Sequence, residues 1–210
     1  MIGPSSSHTA GAVRIGRIAL KILGEDAATA EIGLSGSFAK TYKGHGTDKA
    51  IIAGILGMKP DDERIPNSLQ LAKEAQLKYN FSHTEIKNAH PNTAVIDLTG
   101  VKGAKCTVEG VSVGGGNIQI TKLNGMKAAF NGTYNTLIIA HNDRPGVIAA
   151  VTEKLAQFNI NIGSFRLSRS NKNELAIMTI ELDSGVDKPL VSELRELENI
   201  SSVVYMRPMT

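Results

Sequence analysis

One cysteine, no tryptophan and few aromatic residues set the first limits on this chain of 210 residues. Cys106 has no second cysteine for an internal disulfide, which fits a reducing compartment and leads us to expect a cytoplasmic protein. One thiolate also falls short of the roughly four ligands that an iron–sulfur cluster or a structural zinc requires, so no metal is expected on this chain's own side chains. With aromatics at 4%, the cores must be built from Ile, Leu, Val and Ala. No apolar run approaches the roughly 20 residues of a membrane span. Met1-Ile2-Gly3-Pro4 lacks the basic start and apolar stretch of a secretory signal. An excess of charge of one sign is missing as well: the net charge is +3, divided as +4 over residues 1–134 and −1 over 135–210. There is no Lys/Arg block and no interleaving of basic and aromatic residues, which argues against nucleic acid as a partner. A mildly basic first half is compatible with a small anionic substrate and equally with ordinary surface charge.

What is present suits a globular protein, with 41% hydrophobic residues and a length that allows one large domain or two small ones. In the first half, Ile15, Ile18/Ala19 and Ile22/Leu23 recur at helical spacing over Ala10 to Leu23, and Gly24 ends the helix. Thr29 to Ala39 reads as a strand. Thr47 or Asp48 can cap a helix over Lys49–Leu56, stopped by Gly57, and Asn67 or Ser68 can start another through Lys78. Four extended stretches follow: Phe81–Lys87, Thr93–Leu98, Cys106–Val113 and Asn117–Lys122, with a Gly114-Gly115-Gly116 turn between the last two. Phe130-Asn131-Gly132-Thr133 is turn-rich and reads as a linker. Beyond it come a strand (Asn135–His141), a helix with Pro145 in its first turn (Arg144–Phe158), two strands joined by a hairpin turn (Ile160–Ser168, Glu174–Leu182), a second helix (Lys188–Leu197) and a last strand (Ile200–Met206). That order is βαββαβ, a ferredoxin-like unit. The fold class expected is therefore α+β, with a mixed helix and sheet domain over 1–131 and a ferredoxin-like domain over 135–210.

Four strings in the first half carry chemistry. In "GPSSSHTAGAVRIG" a Gly-Pro turn leads through Ser5, Ser6, Ser7, His8 and Thr9 into a helix. Hydroxyls and unpaired N–H groups at a helix start make an anion cradle, and His8 titrates near neutrality. One serine would suffice as a cap, so three serines and a histidine favour the functional reading over simple capping. In "SGSFAKTYKGHGTDKA", Gly44 and Gly46 flank His45 just ahead of Thr47 and Asp48, which lets the imidazole approach a ligand closely; a surface loop histidine is the bland alternative. His90-Pro91-Asn92-Thr93 can be a plain turn or a second anion-facing group. "SVGGGNI" can line a site with bare backbone or merely turn a hairpin.

The last third, with "LIIAHNDRPGVIAAVTEKLAQFNINIGSFRLSR", resembles an ACT domain. Such domains pair edge to edge and bind amino acids at that interface, which implies a homodimer. The Asp143-Arg144-Pro145-Gly146 turn joins strand to helix, with Pro145 presetting φ and Gly146 permitting close approach. Resemblance to serine-sensing members implies an effector site made of His141, Asn142, Asp143, Pro145, Gly146 and Asn161. Asp143 stands where asparagine is usual, and a carboxylate there opposes the carboxylate of an amino acid.

Taken together, GPSSSHT, GHGTD, HPNT and the trailing ACT domain resemble the β subunit of bacterial iron–sulfur L-serine dehydratases, over nearly the whole chain. The first domain is similar to the allosteric substrate-binding domain of some phosphoglycerate dehydrogenases. Family members carry a short segment before the Gly-Pro-Ser-Ser-Ser-His-Thr string, whereas this sequence starts almost at it. The resemblance implies a lyase reaction, L-serine to pyruvate and ammonia, with a [4Fe–4S] cluster held by a separate α subunit acting as Lewis acid toward the serine hydroxyl. It implies that Ser5, Ser6, Ser7 and Thr9 grip the carboxylate. Gly44, Thr47, Asp48, His90 and Asn92 complete the substrate site, and His8 and His45 serve as catalytic imidazoles. His45 is the preferred base, His8 the orienting group, and Asp48 either fixes an imidazole tautomer or caps the next helix. A rival reading keeps both domains purely regulatory, as amino-acid-binding and dimerising modules. A hydrolase with a serine nucleophile lacks a G-x-S-x-G elbow.

Overall fold

The computed structural model describes residues 7–86 and 89–209, apart from the Ser7 side chain. Ser5 and Ser6 therefore lie outside the described residues, as does the Ser7 hydroxyl. The chain divides into two compact units between Asn124 and Gly125.

The first unit opens on a π-helical turn, Ser7–Gly11, that runs straight into α1 (Ala12–Leu23). Ala12, Val13, Ile15, Ile18, Ala19 and Leu23 form the buried stripe of α1. Gly24, at φ 79°, closes it by donating its N–H to Leu20. β1 (Ala27–Leu34), α2 (Gly36–Thr41), α3 (Thr47–Ile55), a 3₁₀ turn (Ile65–Asn67) and α4 (Ser68–Glu74) follow. Next come β2 (Lys78–His83), β3 (Thr93–Gly100), β4 (Lys105–Gly114) and β5 (Asn117–Leu123). Strand order is β2-β1-β3-β4-β5. β1 and β2 run parallel and the other pairs are antiparallel. Alternation puts Ala30, Ile32 and Leu34 of β1 and Ala94, Ile96 and Leu98 of β3 inside. Helix α1 lies on this sheet where Gly110 leaves room for Ile15 and Ile120: a Cβ there would come within 2.8 Å of Ile15.

Three expectations need correcting in this unit. The strand expected through Ala39 stops at Leu34, because Gly36 turns left-handed (φ 58°) and starts a short helix that buries Phe38. The helix expected through Lys78 stops at Glu74, because Gln76 takes φ 58° and Leu77 drops into the core. Lys78 already belongs to β2, which ends at His83 rather than Lys87.

The second unit opens with β6 (Met126–Phe130), which lies against β8 and β9 and which the turn-rich sequence around it concealed. β7 (Asn135–Asn142), α5 (Val147–Gln157), β8 (Ile162–Arg169), β9 (Leu175–Leu182), α6 (Lys188–Glu196) and β10 (Ile200–Met206) then give the expected βαββαβ order. The four-stranded sheet has the order β10-β7-β9-β8 and is antiparallel throughout. Leu137, Ile139, Met178 and Ile180 pack with Val151, Leu155, Leu190 and Leu194. Asp187 caps α6 by accepting from the Leu190 N–H at 3.1 Å. Helix α5 starts at Val147 after Gly146 (φ 89°), so Pro145 belongs to the turn before the helix and not to its first turn.

Candidate functional site

The four strings singled out in the first half come together in one place. The π-helical turn carries His8, buried at 8% exposure, at the front of α1. The His45 ring stands 4.8 Å from the His8 ring, centroid to centroid, at 84°. Phe38 meets His8 edge-on at 5.3 Å, and Ser37 Oγ lies 3.3 Å from His8 Nε2. The HPNT string closes on the same group of elements. Phe38 N–H donates to the Pro91 carbonyl at 3.2 Å and Ser35 N–H to Thr93 at 3.0 Å. Asn92 exchanges bonds with Ser112: the Ser112 N–H reaches the Asn92 carbonyl at 3.0 Å, and the Asn92 amide donates to the Ser112 carbonyl at 3.5 Å. Ser112 in turn faces Gly11, where a Cβ would be 2.2 Å from its Oγ. Arg14 of α1 donates to the Gly116 carbonyl at 2.9 Å, which ties the triglycine turn to the same helix.

Two of these strings hold three buried polar atoms with no hydrogen-bond partner among the described residues: His45 Nδ1 and Thr47 Oγ1 on one, Asn92 Oδ1 on the other. A buried polar atom left unpaired costs about 1–3 kcal/mol, and native proteins leave few of them. Asn92 is informative in its chemistry. Its NH₂ is spent on the Ser112 carbonyl, so the open atom is an acceptor. Burial first, and the neighbouring His45 second, hold the His8 imidazole below its ordinary titration range. Both causes favour the neutral form of the His8 ring.

The remaining residues take lesser places. Thr9 is half-buried in the π-helical turn. Gly44 is exposed, with only the Thr41 carbonyl among the described residues near its missing Cβ, at 3.8 Å. Asp48 Oδ1 accepts from the Lys49 N–H at 2.8 Å, a bond to the start of α3. The exposed His90 accepts the Asn92 N–H on Nδ1 at 3.1 Å and so braces its own turn. Ser37 and Phe38, which touch His8, were missed by the sequence reading. The only signal for them was their place in the same string as His45.

The one thiol is built into the core instead. Cys106 is buried on β4, its Sγ 3.6 Å from the Ala19 carbonyl. Desolvation, with Asp97 as the lesser cause, pushes its pKa up to about 12. Among the described residues no three His, Cys, Asp or Glu side chains stand together as metal ligands. The folded chain is expected to resist a thiol reagent such as DTNB at pH 8, where about 10⁻⁴ of the thiol is ionised, and to react fully in guanidinium chloride. Rapid labelling of the folded chain would contradict this burial.

In the second unit the effector-site residues fall into two groups. His141 is buried, and its Nδ1 donates to the Asn142 carbonyl at 2.9 Å; its Nε2 is then an acceptor with no partner among the described residues. The Asp143 carboxylate accepts from Asn173 N–H (3.1 Å) and Arg169 (3.2 Å), which hold it below the usual carboxylate range in that order. Its charge is compensated inside the β8–β9 turn. Pro145 and Gly146 are exposed beside it. Asn161 lies elsewhere and donates to Asp183 at 2.5 Å. The register shows why. His141 pairs with Ala176, which pairs with Arg169; Asn135 pairs with Leu182, which pairs with Ile162. His141 and Asn161 are therefore at opposite ends of the sheet, roughly 20 Å apart at strand rise, and one chain does not unite them.

Comparison with known proteins places the chain in a family. Residues 1–122 match the family model for the serine dehydratase beta chain, and 134–199 match the ACT domain. The "Probable L-serine dehydratase, beta chain" of Bacillus subtilis (strain 168) is 44% identical over 97% of this chain and 92% of its own length. The "L-serine dehydratase, beta chain" of Peptoniphilus asaccharolyticus is 39% identical over 98% and 93%. D-3-phosphoglycerate dehydrogenase of Bacillus subtilis is 27% identical over 90% of this chain and 36% of its own. With the family match covering every string that meets around His8, the chain belongs to the serine dehydratase beta chain family.

Proposed function

We propose that this chain is the substrate-gripping subunit of an L-serine dehydratase, residues 1–131 handling the substrate and 135–210 forming the ACT domain. The observation that carries the reading is the convergence of two imidazoles, 4.8 Å apart, with three unpaired buried polar atoms, two on the His45 string and one on the HPNT string that packs beside it. The reaction removes the Cα proton and the β-hydroxyl of serine; the aminoacrylate released hydrolyses to pyruvate and ammonia. In this chain the Ser5, Ser6, Ser7 and Thr9 hydroxyls take the carboxylate. The Asn92 Oδ1 acceptor, set against the same group of elements, suits a donor on the substrate. His45, whose Nδ1 has no internal partner, removes the α proton. His8 stays neutral beside it, so the charge acquired by His45 meets no opposing charge there. The [4Fe–4S] cluster belongs to a separate α subunit, since Cys106 is sealed in the core of this one.

The ACT domain pairs with a second copy. Its edge strand β8 is exposed over five successive residues, Gly163 to Leu167. Two copies paired antiparallel along β8 would bring the His141 end of one to the Asn161 end of the other, which a single chain does not achieve. A cytoplasmic site is consistent with the single reduced thiol.

The test is coexpression with the α chain, purification without oxygen in the presence of iron, and assay of pyruvate from L-serine. The complex is expected to be active and this chain alone inactive. An inactive, fully loaded complex, or an active one stripped of iron, would overturn the proposal.

A further inference from the structure

The string that contains His45 begins with Ser35-Gly36-Ser37-Phe38, and the function proposed above makes no use of it. We propose that Ser37 is a positioning residue: its hydroxyl, held at His8 Nε2, selects which ring nitrogen of His8 carries the proton. This inference rests on the reading that His8 and His45 work as a pair.

The placement of Ser37 is unusually constrained. Gly36 adopts φ 58°, and a Cβ there would lie 2.6 Å from both Cα and the carbonyl oxygen of Pro91. Only glycine lets the backbone come so near the HPNT turn. The residues around Ser37 are fastened to that same segment by the Ser35–Thr93 and Phe38–Pro91 backbone bonds. Ser37 is the second residue of α2, and the N-cap Ser35 makes no side-chain cap bond. The Ser37 hydroxyl is directed to the imidazole, at 3.3 Å. The Ser37 carbonyl accepts from Thr41 Oγ1 at 2.8 Å, which steadies the turn from below. Phe38, fully buried, meets the His8 ring at 64° and limits its rotation. Hydroxyl and phenyl thus fix His8 from one segment, while His45 faces it from another.

A neutral imidazole has two tautomers, one nitrogen donating and the other accepting. A hydroxyl that donates to Nε2 keeps the ring proton on Nδ1, and it is in that sense that Ser37 selects the tautomer; an imidazole in the other tautomer presents a donor where an acceptor is needed.

The experiment compares Ser37→Ala, Ser37→Val and Ser37→Thr. The readouts are ¹⁵N shifts of the His8 ring in the full chain, and kcat and KM for L-serine in the complex with the α subunit. Ala and Val are expected to shift the His8 ring nitrogens toward tautomer averaging. They should lower kcat about tenfold with KM within about twofold, the loss of one hydrogen bond felt at the barrier. Thr, which has the shape of Val and keeps the hydroxyl, is expected to restore both. Unchanged His8 shifts in Ser37→Ala overturn the inference and leave the serine reading standing. Changed shifts with full turnover overturn it from the other side, by removing His8 from the reaction.

Discussion

His45→Ala in the assembled complex is expected to lower serine turnover by at least about a hundredfold, with subunit assembly and thermal stability close to those of the native complex. A positioned general base contributes about 10²–10⁴ to rate, and His45 is the ring whose Nδ1 is left open. The substitution removes little structure. The His45 main chain is held by its N–H donating to the Thr41 carbonyl at 2.9 Å, which alanine keeps. The half-buried ring makes no hydrogen bond among the described residues that its loss would break. A second effect has a defined sign. His45 is the lesser of two causes that hold the His8 pKa down, burial being the larger. His8 in the variant should therefore titrate higher than in the native chain while remaining below its ordinary value, which NMR titration of the full chain measures. If more than about a tenth of the turnover survives His45→Ala while His8→Ala is inactive, the base is His8 and the roles are exchanged.

What the sequence disclosed and what it concealed follow a physical division. The second unit was legible because its strands are short apolar runs such as Leu137–Ala140 and Ala176–Ile180, set off by turns marked with Pro, Gly and Asn; β7 to β10 differ from the expected ranges by a residue or two. The elements that went unseen are short or end without a marker. Helix α2 has six residues and follows an apolar strand, so its one buried side chain, Phe38, looked like strand continuation. Gln76 turns left-handed without being glycine, and nothing in the string announces it. β6 is five residues long beside an Asn-Gly turn that resembles a linker. The site was legible in its residue types. Histidine between glycines and histidine after serines are local patterns. Their approach to 4.8 Å is a product of tertiary packing, as are the Ser37 contact and the unpaired atoms of Thr47 and Asn92. The effector residues depend on more than one chain: sheet register puts His141 and Asn161 at opposite ends of the sheet within one copy, so the site that the resemblance implies needs a second copy.

Gly54→Ala is expected to destabilise the chain by about 3 kcal/mol, lowering the first unit's Tm by about 10 °C, and to cost activity with it. In an exposed helix the same change would stabilise by up to about 1 kcal/mol, since alanine is the better helix former. Here α1 and α3 cross with their backbones in contact at Gly16 and Gly54. A Cβ on Gly54 would sit 2.2 Å from the Val13 carbonyl oxygen, 2.9 Å from the Arg17 nitrogen and 3.0 Å from the Gly16 Cα. All three are main-chain atoms, so no side-chain rotation can relieve the contact and the helices must part. The opposite face of the crossing is equally close: a Cβ on Gly16 would be 2.5 Å from the Ile51 carbonyl oxygen. Parting these helices loosens Ile15, Ile18, Ile51 and Ile55, all buried. It also separates the two imidazoles, because His8 sits in the turn that leads into α1 and His45 just ahead of α3. Gly44→Ala is the control. Among the described residues that glycine has only one atom near its missing Cβ, and the substitution should leave Tm within about 2 °C of native. A Gly54→Ala chain as stable as native, measured by thermal unfolding beside this control, would mean that α1 and α3 do not meet backbone to backbone and that another contact holds the two histidines together.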